Sequence, residues 1–255
     1  MNIIVCVKQT FDTEEKIVVQ NGTISEDGVE FIVNPYDEYA VEEAIKLRDE
    51  HGGEVTVVSI GPDRSESALR TALAMGADKA VIVNSEDIEC DEYSTAKILA
   101  AVIKDREFDL IIGGNMAVDN GSGQVGPRLA EELNIPQVIT ITKLDIDGGK
   151  ATVERDVEGD VEVIEVSLPV LVTAQQGLNE PRYPSLPGIM KAKKKPMERL
   201  EIDDLGLSEQ DVKAKTTVTE IFLPPKKEAG RILSGEINDQ VKELVQLLRT
   251  EAKVI

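Results

Sequence analysis

Tryptophan is absent from this sequence, histidine occurs once, and phenylalanine and tyrosine occur four times each. Aromatic residues make up 3% of the chain while hydrophobic residues make up 41%. A core must therefore be assembled from Val, Ile, Leu and Ala, the residues of buried parallel strands and the helices that cover them. Two cysteines, Cys6 and Cys90, are too few and too widely spaced for a disulfide framework or a metal site. No run of about 20 apolar residues exists, so the sequence predicts no membrane-spanning helix. The first residues, Met1 to Lys8, enter a strand pattern directly, without the basic start and small-residue cleavage site of a signal peptide. The expectation is a protein of the reducing cytoplasm.

Basic residues are also in deficit. Acidic residues number 48 against 28 basic ones, giving a net charge of −20. Nucleic-acid binding relies on Lys and Arg displacing counterions from phosphates, so nucleic acid is excluded as a general partner. The deficit reverses locally. Between Pro181 and Leu200 stand Arg182, Lys191, Lys193, Lys194, Lys195 and Arg199, with Glu198 the one acid. Such a patch on an acidic protein suits docking onto something acidic, although charge runs are more often plain solvated surface.

What is present alternates strand and helix. Asn2–Val7, Val55–Ile60, Ala80–Val83 and Asp109–Ile112 are β-branched apolar runs. Between them lie helical patterns beginning at Asn34-Pro35, about Ser65 and about Tyr93, and a further one spans about Gln124 to Leu133. Pro35 suits a first helical turn, and His51-Gly52-Gly53 suits a helix end. His51, the single histidine, reads as a helix-end residue rather than a catalyst. Repeated strand–helix–strand units imply right-handed crossovers, and hence a doubly wound, mostly parallel, Rossmann-like α/β sheet whose ligands sit at the carboxyl ends of the strands. After Val138–Leu144, the alternating runs Ala151–Val157 and Val161–Leu168 flank Glu158-Gly159-Asp160 as a β-hairpin, and Pro169–Thr173 is another short strand. The expected division is an α/β nucleotide-binding domain over residues 1–178 and an extended, proline-rich C-terminal arm over 179–255. The arm ends in a helix from about Glu236 to Glu251, with Ile237, Val241, Leu244, Val245 and Leu248 on one face. That face could clasp a partner or pack on its own domain.

The most informative stretch is Gly113-Gly114-Asn115-Met116-Ala117-Val118-Asp119-Asn120-Gly121-Ser122-Gly123-Gln124-Val125-Gly126-Pro127. It follows a buried strand and runs into a helix, where glycines allow close backbone approach and free N–H groups attract phosphate. Gly121 to Gly126 formally satisfies G-x-G-x-x-G, but it lies late in the sheet and well beyond its strand, unlike a dinucleotide fingerprint. No Gly-Lys-Ser/Thr follows, so it is no Walker A loop either. A mononucleotide loop survives both exclusions, beside the plainer possibility of a structural loop. No metal-ligand spacing, Cys/His pair or G-x-S-x-G elbow is present. A binding or carrier role is favoured over a bond-making enzyme.

Several segments together resemble the electron transfer flavoprotein β subunit family. The most specific is Leu178-Asn179-Glu180-Pro181-Arg182-Tyr183-Pro184-Ser185-Leu186-Pro187-Gly188-Ile189-Met190-Lys191-Ala192-Lys193-Lys194-Lys195. In family order with it stand Val5-Cys6-Val7-Lys8, Asn34-Pro35-Tyr36-Asp37-Glu38-Tyr39-Ala40-Val41-Glu42-Glu43-Ala44, Thr71-Ala72-Leu73-Ala74-Met75-Gly76-Ala77-Asp78 and Ala117-Val118-Asp119. The resemblance covers almost the whole chain. It implies a heterodimer with a larger α subunit that holds the redox-active FAD, while this chain buries a structural AMP. By matching motifs, AMP would contact Cys6, Asn34, Pro35, Tyr36, Asp37, Ile60, Gly114, Asn115, Met116, Ala117, Val118, Asp119, Asn120, Gly121, Ser122, Gly123, Gln124 and Val125.

The resemblance further implies that Tyr183, Pro184, Ser185, Leu186, Pro187, Gly188, Ile189, Met190 and Lys191 form a recognition loop for acyl-CoA dehydrogenases, with Leu186 as the apolar anchor. Asp156 would contact the mobile flavin domain, and electrons would pass on to a membrane quinone reductase. A tyrosine that lies near the flavin in some relatives is Thr13 here. Two alternatives remain at this point. One is a bifurcating-type subunit with a second FAD in place of AMP, the other a stand-alone nucleotide-binding regulator of the universal-stress type.

Overall fold

The computed structural model describes residues 1–227 and 229–255. The chain divides into two compact units, one made of 1–18 and 25–219, the other of 19–24 and 220–255.

The first unit is built on a nine-stranded sheet. In chain order its strands are β1 (Asn2–Cys6), β2 (Glu54–Gly61), β3 (Lys79–Asn84), β4 (Leu110–Gly114), β5 (Gln137–Asp147), β6 (Lys150–Val157), β7 (Asp160–Ser167), β8 (Val170–Ala174) and β9 (Met197–Leu200). They lie side by side in the order β7-β6-β5-β8-β4-β1-β2-β3-β9. The run from β5 to β9 is parallel throughout, whereas β6 pairs antiparallel with both β5 and β7. Helices α1 (Pro35–His51), α2 (Glu66–Met75), α3 (Glu92–Ile103), α4 (Val125–Leu133) and α5 (Leu186–Ala192) complete the unit. The doubly wound α/β architecture expected from the strand–helix alternation is therefore present.

Burial follows from alternation along the parallel strands. Ile3, Val5, Val55, Val57, Leu110 and Ile112 enter one core with α1 and α2, while Ile4, Val58, Val81, Ile111 and Leu171 enter a second with α3 and α4. Side chains of period two on a sheet covered on both faces leave no polar side, which explains the near-continuous apolar runs. The helices end as their sequences dictate. Pro35 sits in the first turn of α1, and beyond His51 the backbone of Gly52 takes φ 72° and donates to Arg48 O at 2.8 Å.

The structure extends the expected outline in two places, with the predicted β-hairpin present. The hairpin of Ala151–Val157 and Val161–Leu168 is the outer part of a three-stranded meander, because β5 extends to Asp147 and pairs with β6 from Lys150. The boundary expected after Leu178 falls inside the first unit, which continues to Thr219. The reason is a series of anchors dispersed in a polar stretch. Met197–Leu200 adds a parallel strand beside β3, and Ala192, Ile202 and Val212 are buried. Lys195 Nζ donates to the carbonyls of Leu73 at 3.0 Å and Ala77 at 2.5 Å at the end of α2, where the helix dipole favours a cation.

The second unit contains a two-stranded ribbon, Val19–Gln20 with Thr23–Ile24, turning through Asn21 and Gly22 at positive φ as a tight hairpin requires. Its helix α6 (Ile237–Leu247) is followed by a π turn over Leu248–Ala252. None of the residues of α6 is buried, and Ile237, Val241 and Leu244 are exposed.

Candidate functional site

The connection after β1 runs through α1 to β2, and the chain later returns through α3 to β4 on the other side of β1. The two adjacent parallel strands β1 and β4 are thus followed by connections leaving in opposite directions. This is the topological switch point at which open α/β sheets form a crevice beyond their carboxyl ends. Cys6 ends β1, Gly114 ends β4, and Ile60 lies near the end of β2, so the sequence-predicted contacts converge on this edge.

Asn34 and Asp37 tie the crevice together. The Asp37 carboxylate, buried within the first turn of α1, accepts from Lys8 N at 2.7 Å through one oxygen. Its other oxygen accepts from Gly114 N at 3.0 Å and from Asn34 Nδ2 at 3.0 Å. Asn34 in turn donates to Met116 O at 2.9 Å and accepts from Val118 N at 3.1 Å. Splayed strand ends leave backbone groups that cannot pair with one another, and these two side chains satisfy them. Burial pushes the Asp37 carboxyl up to about 7, against the lowering effect of its three N–H donors and the Lys8 charge. Burial and the nearby Asp37 charge push the Cys6 thiol up to about 12, which disfavours the thiolate.

The loop from Asn115 to Gln124 crosses this crevice. Asn115 N donates to Ala174 O at 2.9 Å, continuing the sheet by one residue. Lys8 Nζ pairs with Asp119 at 2.6 Å, so the loop is held at three successive points, 116, 118 and 119. Gly121 N donates to Ala117 O at 2.8 Å, and Ser122 N to Asn120 Oδ1 at 3.3 Å. Gly123 at φ 61° then turns the chain into α4.

The fit of a mononucleotide to these residues can be judged from two features. The first turn of α4 has no acidic residue and no side-chain cap at Gln124, which leaves the amides of its start available to an anion. Two glycines let the elements around the crevice close on one another. A Cβ at Gly114 would lie 2.3 Å from Asp37 Oδ1 and 2.8 Å from the Tyr36 carbonyl carbon. One at Gly126 would lie 2.7 Å from Thr173 Cγ2, so this glycine lets α4 pack tightly on β8. The third glycine of a dinucleotide fingerprint has the same packing role, although this segment begins far from its strand.

Sequence reasoning named the loop and the Asn34–Asp37 turn but missed Lys8, whose main chain and side chain both enter the site. The available signal was a cation two residues past the last strand position, in Val5-Cys6-Val7-Lys8.

The segment 183–191 occupies a separate place. Tyr183 is 94% exposed, Leu186 80% and Met190 72%, an apolar ridge that a monomer would ordinarily cover. The ridge is firmly mounted. Arg182 Nε and Nη2 grip Glu42 at 2.7 and 2.9 Å, and Asn179 Nδ2 donates to Tyr39 O at 2.9 Å and Glu43 Oε2 at 2.8 Å. Ser185 caps α5 by accepting from Gly188 N at 3.1 Å, and a Cβ on Gly188 would meet Ala74 O at 2.5 Å. The basic patch is smaller than its residue count suggested. Arg182 pairs with Glu42, Lys195 caps α2, and Arg199 pairs with Asp63 and Glu66, leaving Lys191, Lys193 and Lys194 exposed. Asp156 is exposed on β6, opposite Val161, with Arg155 beside it bound to Glu162 at 2.7 Å. Among the described residues no group of acidic, Cys or His side chains could hold a metal ion, and no helix is long and apolar enough to cross a membrane.

Comparison with known proteins extends this picture over the whole chain. Residues 21–205 match the family model described as electron transfer flavoprotein domain. The electron transfer flavoprotein subunit beta of Bacillus subtilis (strain 168) is 64% identical, with all of both chains covered. The mitochondrial subunit beta of Oryza sativa subsp. japonica is 40% identical, again with all of both chains covered. The Caffeyl-CoA reductase-Etf complex subunit CarD of Acetobacterium woodii is 38% identical over 98% of each chain. With its α/β sheet and this likeness along its whole length, the chain belongs to the electron transfer flavoprotein family, as an electron-carrier subunit of the beta type rather than an enzyme.

Proposed function

We propose that this chain binds one AMP in the β1/β4 crevice and, paired with an FAD-holding α subunit, forms a cytoplasmic carrier. It takes electrons from acyl-CoA and other dehydrogenases and delivers them to a membrane quinone reductase. The observation that carries the reading is the loop from Gly114 to Val125, pinned by Asn34, Asp37 and Lys8 and running into an uncapped helix start. Cys6, Pro35, Tyr36 and Ile60 would wall the adenosine, and the amides around Gly123 and Val125 would face the phosphate. FAD supplies the redox chemistry from the partner subunit. This chain's residues orient and dock.

Docking is assigned to Tyr183–Lys191. A single apolar side chain entering a pocket makes a hot spot, while surrounding cations steer the encounter, and Leu186 with Lys191, Lys193 and Lys194 supplies both. Leu186→Ala should lower electron transfer from an acyl-CoA dehydrogenase about tenfold at dilute dehydrogenase, with cofactor content unchanged. Unchanged rates at both dilute and saturating dehydrogenase would remove Leu186 from this role. Asp156 is proposed as a contact for the flavin domain, and the exposed face of α6 as a clasp on the α subunit.

The nucleotide assignment is tested by denaturing the purified heterodimer and quantifying what it releases. One FAD and one AMP per heterodimer supports the proposal. Two FAD and no AMP would instead identify a bifurcating-type subunit, a reading kept open by the relative named in a caffeyl-CoA reductase complex.

A further inference from the structure

The Lys8–Asp119 ion pair is built differently from the other pairs on this surface. Both main-chain groups of Lys8 are committed to the crevice: its N–H donates to Asp37 Oδ2 at 2.7 Å and its carbonyl accepts from Asn34 N at 2.9 Å. These are the same two residues that hold the loop and the end of β4. The Lys8 Cα is therefore fixed relative to the loop, while its side chain remains 43% exposed. Its partner, Asp119, stands on the loop itself and is 37% exposed. Among the residues assigned to the crevice, from Cys6 to Val125, Lys8 brings the one cationic side chain, and Asp119 neutralises it. Arg128, one turn into α4, already donates from Nη2 to Gln124 Oε1 at 2.9 Å.

An exposed pair of this kind is weakly held, because water screens it and two long side chains must be immobilised to keep it. A phosphate carries more charge than a carboxylate and more acceptor oxygens for the same ammonium group. We propose that Lys8 is a shared cation: it clasps the loop through Asp119 and, on binding, transfers to the phosphate of a nucleoside monophosphate, leaving Asp119 facing solvent. The step is an exchange of ion-pair partners in which no proton moves. It also bears on selectivity. With one transferable cation and an acidic surface of net charge −20, the crevice can balance a single phosphate, while the added negative charge of a pyrophosphate would find no second cation to pair with. This inference deepens the mononucleotide reading and rests on it.

The test is titration of the full chain, paired with its α subunit and freed of nucleotide, with AMP, ADP and adenosine. Four versions are compared: wild type, Lys8→Gln, Asp119→Asn and the double variant. If wild type fails to bind AMP, the mononucleotide reading itself falls. If wild type binds, Asp119→Asn should tighten AMP and reduce the preference for AMP over ADP, while neither single variant alters adenosine. Lys8→Gln should weaken AMP by about threefold in the wild-type background and about tenfold in the Asp119→Asn background, since only the former also abolishes an existing pair. Equal factors in the two backgrounds would overturn the exchange. Loss of adenosine affinity in step with AMP would show that the pair only shapes the loop.

Discussion

Asp37 concentrates the physical argument in one side chain. Three N–H donors favour its charged form and burial opposes it more strongly, so its carboxyl is pushed up to about 7 from 3.8. The native state therefore holds this proton more tightly than the unfolded chain. Asp37's contribution to stability is greatest below about pH 4 and declines as pH rises towards 7, the reverse of an ordinary paired aspartate. Asp37→Asn should abolish that slope when unfolding is followed between pH 4 and 8. It should also cost roughly 1–3 kcal/mol, because one face of an amide presents N–H to an N–H donor. An unaltered slope would show that another group is responsible. The sequence marked Asp37 as a member of a turn motif and, through the resemblance, as an AMP contact. Its burial was not legible, because Asp37 and Gly114, 77 positions apart in sequence, are brought together only by the sheet order.

At the level of elements, strands and helices were legible where apolar periodicity was strong, and α1 to α4 begin and end near the predicted places. What escaped was the path of the polar stretch after Leu178, held by isolated anchors rather than by a pattern. Asp91 is one of these. It caps α3 by accepting from Ser94 N at 2.9 Å, and its other oxygen accepts from Lys215 N at 2.6 Å and Thr216 N at 2.9 Å. Burial opposes its charge, but these donors outweigh that and hold its carboxyl well below the usual range. Its contribution is accordingly present above about pH 4 and lost as pH falls below that. The two functions can be separated. Asp91→Ser keeps a helix cap but cannot reach residues 215 and 216, and Asp91→Ala loses both. We expect Ser to cost about 1 kcal/mol, with faster hydrogen exchange at Lys215 and Thr216, and Ala to cost about 1 kcal/mol more. Equal losses in both variants would mean that the cap contributes nothing and that the hold on residues 215 and 216 alone matters.

For the molecule as a whole, the proposed function would divide binding, docking and assembly among the crevice, the ridge at Leu186 and the exposed face of α6. The acidic balance gives this division its logic. With 48 acidic residues against 28 basic ones, a phosphate must be met chiefly by backbone amides. Exposed cations can then be concentrated at the lysines beside the docking ridge. The architecture and the loop were readable in advance, since both rest on local patterns of glycine and apolar residues. The unit boundary was not, because a break in composition at Leu178 does not coincide with the break in contacts after Thr219. The central claim is that main-chain amides at the start of α4 grip a nucleotide phosphate. Amide resonances of the isotope-labelled chain, in complex with its α subunit, test this most directly. Adding AMP should shift Gly123, Gln124, Val125 and Gly126 strongly and adenosine should shift them little. If AMP and adenosine shift those four amides equally, or AMP leaves them unmoved, the phosphate lies elsewhere and the account fails.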